Sequence, residues 1–210
     1  MSSQAARFAR RPSRARVRRR RLIIAALAIG LVGVAAIVIE GADPLEDAVR
    51  EITLPLHHED IIRQQAADKE IDPTLIAAVI YEESRFRDQT SHAGARGLMQ
   101  ITPETAEFIA RRSGGVLFEQ ADLATPQINI AYGAWYLRYL IRHYEGNETL
   151  AIAAYNAGQT NVDRWVRQAG GPDRFDSARH IPFPETRAYV ENVQERRGQY
   201  RDKYGAQLGL

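Results

Sequence analysis

The sequence predicts an all-α domain preceded by a single N-terminal transmembrane helix. The helical class follows from three Asp-Pro or Thr-Pro pairs, each of which stands before a segment with apolar residues at helical spacing. A capping side chain followed by proline is typical of a helix start. No part of the chain alternates apolar and polar residues for long enough to indicate a strand. An uninterrupted apolar run near the N-terminus predicts the membrane segment.

The N-terminal part of the chain combines a basic tail with this apolar run. Residues 1–21 hold nine arginines and no acid, whereas the remainder holds 19 of the 28 basic residues and all 26 acidic ones. Residues 22–39 have no charged or hydrogen-bonding side chain. As a helix they would span about 27 Å, which is close to the hydrocarbon thickness of a bilayer. By the positive-inside rule, we expect residues 1–21 to be a cytoplasmic tail, residues 22–39 a single-pass membrane anchor, and the rest to lie outside the cytoplasm.

Nucleic-acid binding and a cleaved signal peptide are the two other interpretations of this segment. Arginine-rich tails can bind nucleic acid, but a tail that runs directly into an apolar span is explained by the membrane, so we expect no nucleic-acid partner. A cleaved signal peptide shows the same order of arginines and apolar residues. Its apolar core is usually shorter, and no small-x-small cleavage site precedes Glu40, which favours a retained anchor.

The remainder of the chain divides into a linker and one domain. Residues 40–56 contain Pro44 and Pro55, which discourage a continuous helix, and are predicted to be a short linker. Residues 57–210 have the length of one ordinary domain, and the chain has no cysteine, so it has neither a disulfide nor a thiolate nucleophile. The helices of the domain are predicted from Asp72-Pro73 to about Ser84, from Thr102-Pro103 to near Gly114, from Thr125-Pro126 to near Gly146, from Thr149 to Asn156 after a cap at Asn147, from about Asn161 to Gln168, and from near Pro184 onward.

Two adjacent glutamates, Glu82 and Glu83, end the first of these helices, and a glycine-containing loop leads from them to Gln100. General acid catalysis of sugar cleavage needs a carboxyl group in a partly dry cleft. At about 100° per residue, Glu83 falls near the centre of the apolar face of the helix, and Glu82 lies roughly 100° away. We therefore expect Glu83 to point inward with a raised pKa, and Glu82 to be exposed. An ordinary surface Glu83, or one paired with Arg85 or Arg87, is equally compatible with the helical wheel.

Two further groups of residues have weaker functional interpretations. His57 and His58 with the acids that follow resemble a ligand cluster in composition only, because they lack the spacing that brings two histidines to one helix face. We interpret them as a solvated helix start and expect no metal or other cofactor. Four aromatic residues on one helix could stack on sugar rings, although packing against the core is the favoured interpretation; they are Tyr132, Trp135, Tyr136 and Tyr139.

Several motifs follow one another along residues 60 to 195. They are Glu83-Ser84-Arg85-Phe86, Ser91, Gly94-Ala95-Arg96-Gly97-Leu98-Met99-Gln100, Pro103-x-Thr105-Ala106, Ala154-Tyr155-Asn156-Ala157-Gly158 and Ile181-Pro182-Phe183-x-Glu185-Thr186-Arg187-x-Tyr189-Val190. In this order they resemble the motifs of the soluble-lytic-transglycosylase (SLT) family. The resemblance implies a lysozyme-like, mainly helical fold that cleaves the β-1,4 bond between N-acetylmuramic acid and N-acetylglucosamine in peptidoglycan. It also implies cleavage without water, which leaves a 1,6-anhydromuramyl end.

The resemblance implies roles for individual residues. Glu83 matches the catalytic glutamate of the family, which acts first as general acid and then as general base. Tyr155 matches the active-site tyrosine and is expected to hydrogen-bond Glu83. The expected substrate-binding residues are Ser91, Gln100, Tyr155, Asn156 and Tyr189. The expected partners are peptidoglycan glycan strands and, through the anchor, the membrane, while protein partners stay unknown. Together with the anchor, the resemblance implies a location in the bacterial inner membrane with the domain on its periplasmic or extracytoplasmic side. A goose-type lysozyme-like hydrolase and a non-catalytic peptidoglycan-binding scaffold module are the alternatives.

Overall fold

The computed structural model describes residues 53–114 and 118–210. The predicted tail, the predicted anchor and residues 40–52 of the predicted linker lie outside these ranges. In the part of the chain that is described, no helix has the length and apolar character needed to cross a membrane. The same part is mainly helical and contains isolated bridges, between Thr90 and Arg96 and between Arg96 and Ile101, in place of strands.

Eight α-helices and two short 3₁₀ helices are present in the described ranges. The α-helices are α1 (Glu59–Lys69), α2 (Pro73–Ser84), α3 (Pro103–Ser113), α4 (Pro126–His143), α5 (Glu148–Ala157), α6 (Gln159–Ala169), α7 (Ser177–His180) and α8 (Pro184–Leu208). The 3₁₀ helices cover Gln120–Ala124 and Pro172–Arg174. The mainly helical class predicted from the sequence is therefore confirmed.

The predicted starts of α2, α3, α4, α5 and α8 are confirmed to within one residue, and those of α2, α3 and α5 have a side-chain cap. Thr125, the cap predicted for α4, makes no side-chain hydrogen bond there. The Asp72 carboxylate accepts a hydrogen bond from the Thr74 backbone N–H, and Thr102 and Asn147 cap α3 and α5 in the same way. Two boundaries differ from the prediction. Helix α4 ends at His143, three residues before Gly146, and α6 begins at Gln159, two residues before Asn161. Gly158 is both the C-cap of α5 and the N-cap of α6, so a single residue separates the two helices.

Helix α2 lies at the centre of the fold and packs mainly against α8. Every residue from Thr74 to Tyr81 is buried. A helix that is apolar on all sides belongs in the interior, in contrast to an amphipathic surface helix with one wet face. The single apolar face assumed on the helical wheel is therefore incomplete, because α8 covers a second side of α2.

A cluster of charges joins the start of α2 to α5 and α8. The Arg197 guanidinium donates to the Asp72 carboxylate at 2.8 Å from Nη2 and also contacts Glu148, and Arg201 adds a further bond to Asp72. Burial alone would raise the pKa of Asp72, but the hydrogen bonds from Thr74 and Arg197 outweigh burial and lower it. Asp72 thus caps α2 and also fixes α8 against it.

The segment just before α1 is docked on the domain. Three tyrosine hydroxyls donate to its main-chain carbonyls: Tyr81 to Thr53 at 3.0 Å, Tyr204 to Leu54 at 2.8 Å, and Tyr200 to Pro55 at 2.6 Å. The Leu54 side chain is buried. The folded domain therefore includes residues 53–56 in addition to the predicted range 57–210.

Candidate active site

Glu83 lies in the last turn of α2, and the backbone ends the helix immediately after it. Arg85 and Phe86 both have left-handed conformations, with φ of 52° and 60°. Two successive non-glycine residues in this region are energetically costly and persist only where surrounding contacts impose them. Phe86 is buried, and the Arg85 N–H bonds to the Tyr81 carbonyl. This turn leaves the Glu83 carboxyl at the end of a buried helix.

The Glu83 carboxyl is half-buried and hydrogen-bonded. The Tyr189 hydroxyl donates to its Oε1 at 2.6 Å. Burial raises the pKa of Glu83 to about 7; the Tyr189 hydrogen bond acts in the opposite direction, and the charge of Glu82 raises the pKa further. A carboxyl whose pKa lies near neutrality can be protonated when the reaction begins, as a general acid requires. The inward orientation predicted for Glu83 is confirmed.

Glu82 differs from the prediction that it is exposed. Its side chain is only 14% exposed, and its Oε1 lies 3.4 Å from Arg196 Nε. Asn192 donates to its Oε2 at 3.2 Å, and the Arg196 guanidinium also covers the Tyr81 ring at 4.6 Å. The prediction was wrong because α8, which supplies Arg196 and Asn192, covers the side of α2 that the helical wheel assigned to solvent.

Tyr155 does not make the predicted hydrogen bond to Glu83. Its hydroxyl donates instead to the Met99 carbonyl at 2.9 Å, and Tyr189 takes the predicted place at Glu83. Burial raises the pKa of Tyr155 well above its usual value, and the charge of Glu83 raises it further. Tyr155 therefore lies near Glu83, and its hydrogen bond ties α5 to the loop that leads to Gln100.

Two of the predicted site residues, Ser91 and Gln100, lie in the loop after α2. The Ser91 hydroxyl accepts from the Ala95 N–H at 3.1 Å and closes a turn, so this hydroxyl has a structural contact in the loop. Gln100 has a left-handed backbone with φ of 46°, and its Nε2 donates to the Gly97 carbonyl at 2.7 Å and the Gln89 carbonyl at 3.0 Å. Because the Gln100 amide nitrogen bonds to the loop, its side-chain oxygen is the atom left for a ligand.

Asn129, on α4, holds this loop and was missed from the sequence. Its Oδ1 accepts from the Met99 N–H at 2.8 Å, and its Nδ2 donates to the carbonyls of Arg96 at 2.9 Å and Leu123 at 3.0 Å. A Cβ on Gly97 would lie 2.1 Å from the Asn129 Nδ2, so this position requires glycine. The available signal was an asparagine on an otherwise apolar helix face, since a buried amide must satisfy its hydrogen bonds.

Asn156 and Tyr189 approach the site from α5 and α8. Asn156 is exposed, and its Oδ1 accepts a hydrogen bond from the Thr186 hydroxyl at 2.8 Å. Thr186 is buried and lies three residues before Tyr189 on α8. The structure thus brings Glu83, Tyr155 and Tyr189 together from three helices, and Thr186 ties Asn156 to α8 one turn before Tyr189. Gln100 lies on the loop that the Tyr155 hydroxyl contacts at Met99, and Ser91 lies earlier on the same loop.

The aromatic residues of α4 make contacts that favour core packing over sugar stacking. Phe108, on α3, makes edge contacts with Trp135, Tyr136 and Tyr139 at centroid distances of 6.3, 6.2 and 5.2 Å. Tyr132 stacks on Phe118 at 4.7 Å. The ring contacts therefore join α3 to α4. A cavity of about 360 Å³ lies elsewhere and is lined by none of the predicted site residues; its lining residues are His143, Tyr144, Glu145, Asp163, Val166, Arg167 and Pro172.

Comparison with known proteins identifies the family to which this arrangement belongs. The family model described as the transglycosylase SLT domain matches residues 60–177, which is more than half of the chain. The chain belongs to the transglycosylase SLT domain family. The family resemblance predicted from the motifs is thereby confirmed, and the match covers Glu83, Gln100, Tyr155 and Asn156 but ends before Tyr189.

The relatives of this SLT domain include soluble and membrane-bound enzymes. It is 34% identical over 154 residues to the soluble lytic murein transglycosylase of Escherichia coli strain K12, covering 72% of this chain and 24% of that protein. It is 33% identical to the membrane-bound lytic murein transglycosylase F of Alcanivorax borkumensis, covering 67% of this chain and 31% of the relative. The chain therefore spans about a quarter to a third of these relatives.

A solved structure shares the fold of this SLT domain. The X-ray structure of an inactive glutamate-to-glutamine mutant of lytic transglycosylase Slt from Pseudomonas aeruginosa matches with a TM-score of 0.67 and 34% sequence identity. The match covers 75% of this chain and 26% of that chain. The helices that position Glu83 are thus those of an SLT fold.

Replacing Tyr189 by phenylalanine is expected to raise the pKa of Glu83. The Tyr189 hydroxyl stabilises the charged carboxylate, so its removal favours the protonated form. The falling limb of the pH–rate profile should move to higher pH, and turnover near neutral pH should change by less than about tenfold if proton transfer stays intact. The measurement is kcat against pH for both proteins. A limb that stays in place, or moves to lower pH, would contradict the role of this hydrogen bond.

Proposed function

We propose that this SLT domain is a peptidoglycan lytic transglycosylase that cleaves the β-1,4 bond between N-acetylmuramic acid and N-acetylglucosamine. The single observation that supports this proposal most is the state of Glu83, a half-buried carboxyl bonded to Tyr189 with a pKa of about 7. Such a group is protonated often enough near neutral pH to act as an acid and is ionised easily enough to act later as a base. The names of its relatives, which are murein transglycosylases, support the choice of substrate.

The proposed reaction uses one carboxyl group for two proton transfers. Glu83 protonates the glycosidic oxygen while the bond between this oxygen and C1 of the muramic acid breaks. The C6 hydroxyl of the same sugar then attacks C1, and the Glu83 carboxylate takes its proton. The product is a 1,6-anhydromuramyl end, and the atoms balance without water. A second carboxylate, which most glycosidases need, is unnecessary because the nucleophile belongs to the substrate.

The other predicted site residues have proposed roles that follow from their contacts. Tyr189 orients Glu83 through the 2.6 Å hydrogen bond, and Tyr155 lines the site while its hydroxyl holds the Met99 carbonyl. Gln100 offers its side-chain oxygen to a sugar N–H or hydroxyl group, because its nitrogen is bonded to the loop. Asn156 offers its amide nitrogen, and Ser91 shapes the loop through Ala95.

Hydrolysis on the same fold is the second candidate, and the environment of Glu83 disfavours it. A hydrolase needs another carboxylate to activate water on the opposite face of the sugar. Among the described residues, Glu82 is the acid whose charge acts on Glu83, and its two oxygens contact Arg196 and Asn192. Both oxygens of Glu82 are therefore already in contact with residues of α8. A raised pKa on a half-buried carboxyl is typical of a functional site, which disfavours a scaffold without activity.

The products distinguish the transglycosylase from the hydrolase. Residues 53–210, the folded domain with its docked segment, should release muropeptides from purified peptidoglycan that are one water lighter than hydrolysis products. The missing water follows from ring closure by the C6 hydroxyl. Mass spectrometry of the digest measures it, with the Glu83→Gln variant as the control for contaminating activity. Reducing muramic acid ends would establish a hydrolase, and no products at all would favour the scaffold.

We further propose that residues 22–39 anchor the protein in the inner membrane with the SLT domain outside. The nine arginines before this apolar run support the orientation, and the existence of membrane-bound relatives is compatible with it. In spheroplasts, added protease should digest the domain while a tag at Met1 survives, because the tag would be cytoplasmic. Mature protein that begins near Gly41 would establish a cleaved signal peptide in place of the anchor.

A further inference from the structure

The first turns of α8 contact the site at two points. Tyr189 donates to Glu83, and Thr186 donates its hydroxyl to the Oδ1 of Asn156 at 2.8 Å. Residues three apart on a helix share a face, so these two bonds extend from α8 toward α2 and α5 side by side. The Thr186 side chain is buried, whereas Asn156 is exposed beside Tyr155. A buried hydroxyl therefore holds an exposed amide one helical turn from the tyrosine that contacts the candidate acid.

The direction of this hydrogen bond determines what the Asn156 amide offers to a ligand. A carboxamide has one oxygen that accepts and one NH₂ group that donates two bonds. Thr186 contacts the oxygen, so the NH₂ group is the part that can reach a ligand. Gln100 has the opposite arrangement, because its nitrogen is bonded to Gly97 and Gln89. One amide at the site is thus arranged as a donor and the other as an acceptor.

We propose that Thr186 is a positioning residue that fixes Asn156 as a hydrogen-bond donor to the acetamido carbonyl of a sugar bound beside Glu83. The proposal rests on the proposed function for its substrate. A carbonyl oxygen has two lone pairs and no proton, so it matches an NH₂ group that can only donate. A ligand without this oxygen leaves the donor unpaired when water is excluded, which weakens binding. Thr186 then affects specificity without touching the substrate.

The first experiment compares Thr186→Val with Thr186→Ser on peptidoglycan glycan strands. Valine keeps the shape of threonine but removes the hydroxyl, so the Asn156 amide is free to turn. We expect KM to rise roughly threefold to tenfold, the loss that corresponds to one neutral hydrogen bond, with kcat and its pH profile near those of the wild type. Serine retains the hydroxyl and should restore KM. Equal impairment in both variants, or an unchanged KM in the valine variant, would overturn the proposal.

The second experiment identifies the group that accepts the hydrogen bond. With N-deacetylated strands, the wild type and Thr186→Val should converge to the same KM, because the carbonyl that Asn156 contacts is gone. If the ratio between the two proteins stays the same on deacetylated strands, the acceptor is a hydroxyl or ring oxygen and the acetamido assignment is wrong. The pH profile separates this effect from that of Tyr189→Phe, which acts on Glu83 directly.

A second variant covers the case in which valine at the buried position disturbs folding. Asn156 is exposed, so Asn156→Ala should fold normally and raise KM by the same factor. Adding Thr186→Val to Asn156→Ala should then change KM no further, and an additive loss would show that Thr186 acts elsewhere. Binding of glycan strands to the same variants in a Glu83→Gln background tests the contact without turnover. The proposed function fails separately, through the absence of anhydromuramyl products from the wild type.

Discussion

Replacing Glu83 by glutamine is expected to lower turnover on peptidoglycan by about 10²-fold or more while the fold stays intact. Glutamine keeps the shape of the side chain and can still accept the Tyr189 hydrogen bond, but it cannot donate a proton to the glycosidic oxygen or recover one from the C6 hydroxyl. The measurement is the rate of muropeptide release, with thermal unfolding to verify the fold. Near-normal turnover in this variant would reject Glu83 as the acid.

The pH dependence of the wild type provides an independent test of the same group. Glu83 must begin the reaction protonated, and its pKa is raised to about 7. Activity should therefore fall as the pH rises through about 7, in contrast to an ordinary glutamate, which is already ionised above pH 5. The fall should be absent from any residual activity of the glutamine variant.

Two further glutamates are suitable controls for this substitution. Glu191 is exposed on α8, so Glu191→Gln should leave both stability and turnover near the wild-type values. Glu82→Gln removes the charge that pairs with Arg196, so it should lower stability modestly, and it should slightly lower the pKa of Glu83 because a neighbouring negative charge is lost. A loss of turnover in Glu82→Gln as large as that in Glu83→Gln would contradict the assignment of the acid.

Replacing Asn129 by alanine is expected to lower the free energy of unfolding by about 3 kcal/mol or more. The substitution leaves the Met99 N–H and the carbonyls of Arg96 and Leu123 without their side-chain partner, and a buried polar group that loses its partner costs about 1–3 kcal/mol. Chemical denaturation measures the loss. Turnover should also fall, because the loop that these bonds hold ends at Gln100.

Gln127 is the matched control for Asn129. It is exposed on the same helix, and within the described ranges its side chain bonds only to Gln64 at the surface. Gln127→Ala should therefore change the free energy of unfolding by less than about 0.5 kcal/mol. If the two alanine variants were equally stable, the three hydrogen bonds of Asn129 would not hold the loop in the way the distances indicate.

Local sequence signals were sufficient for most of the helices. The starts of α2, α3 and α5 depend on one capping side chain and its own helix, so residues a few positions apart contain the whole signal. The inward direction of Glu83 was predicted in the same way, from the periodicity of α2. The predicted boundary between α5 and α6 was less accurate. Gly158 caps both helices, so no intervening residues mark where one ends and the next begins.

By itself, the sequence determined a helical SLT domain whose candidate acid is Glu83, because helix caps, helical periodicity and family motifs are properties of short segments. Only the tertiary structure decided which groups surround that acid. The hydroxyl at Glu83 belongs to Tyr189 and not to Tyr155, and the Arg196 that pairs with Glu82 comes from the same distant helix. Helix α8 begins about 100 residues after α2, and no local pattern specifies which of its faces packs there. Packing of α8 over α2 therefore set the burial, the hydrogen bond and the raised pKa of Glu83.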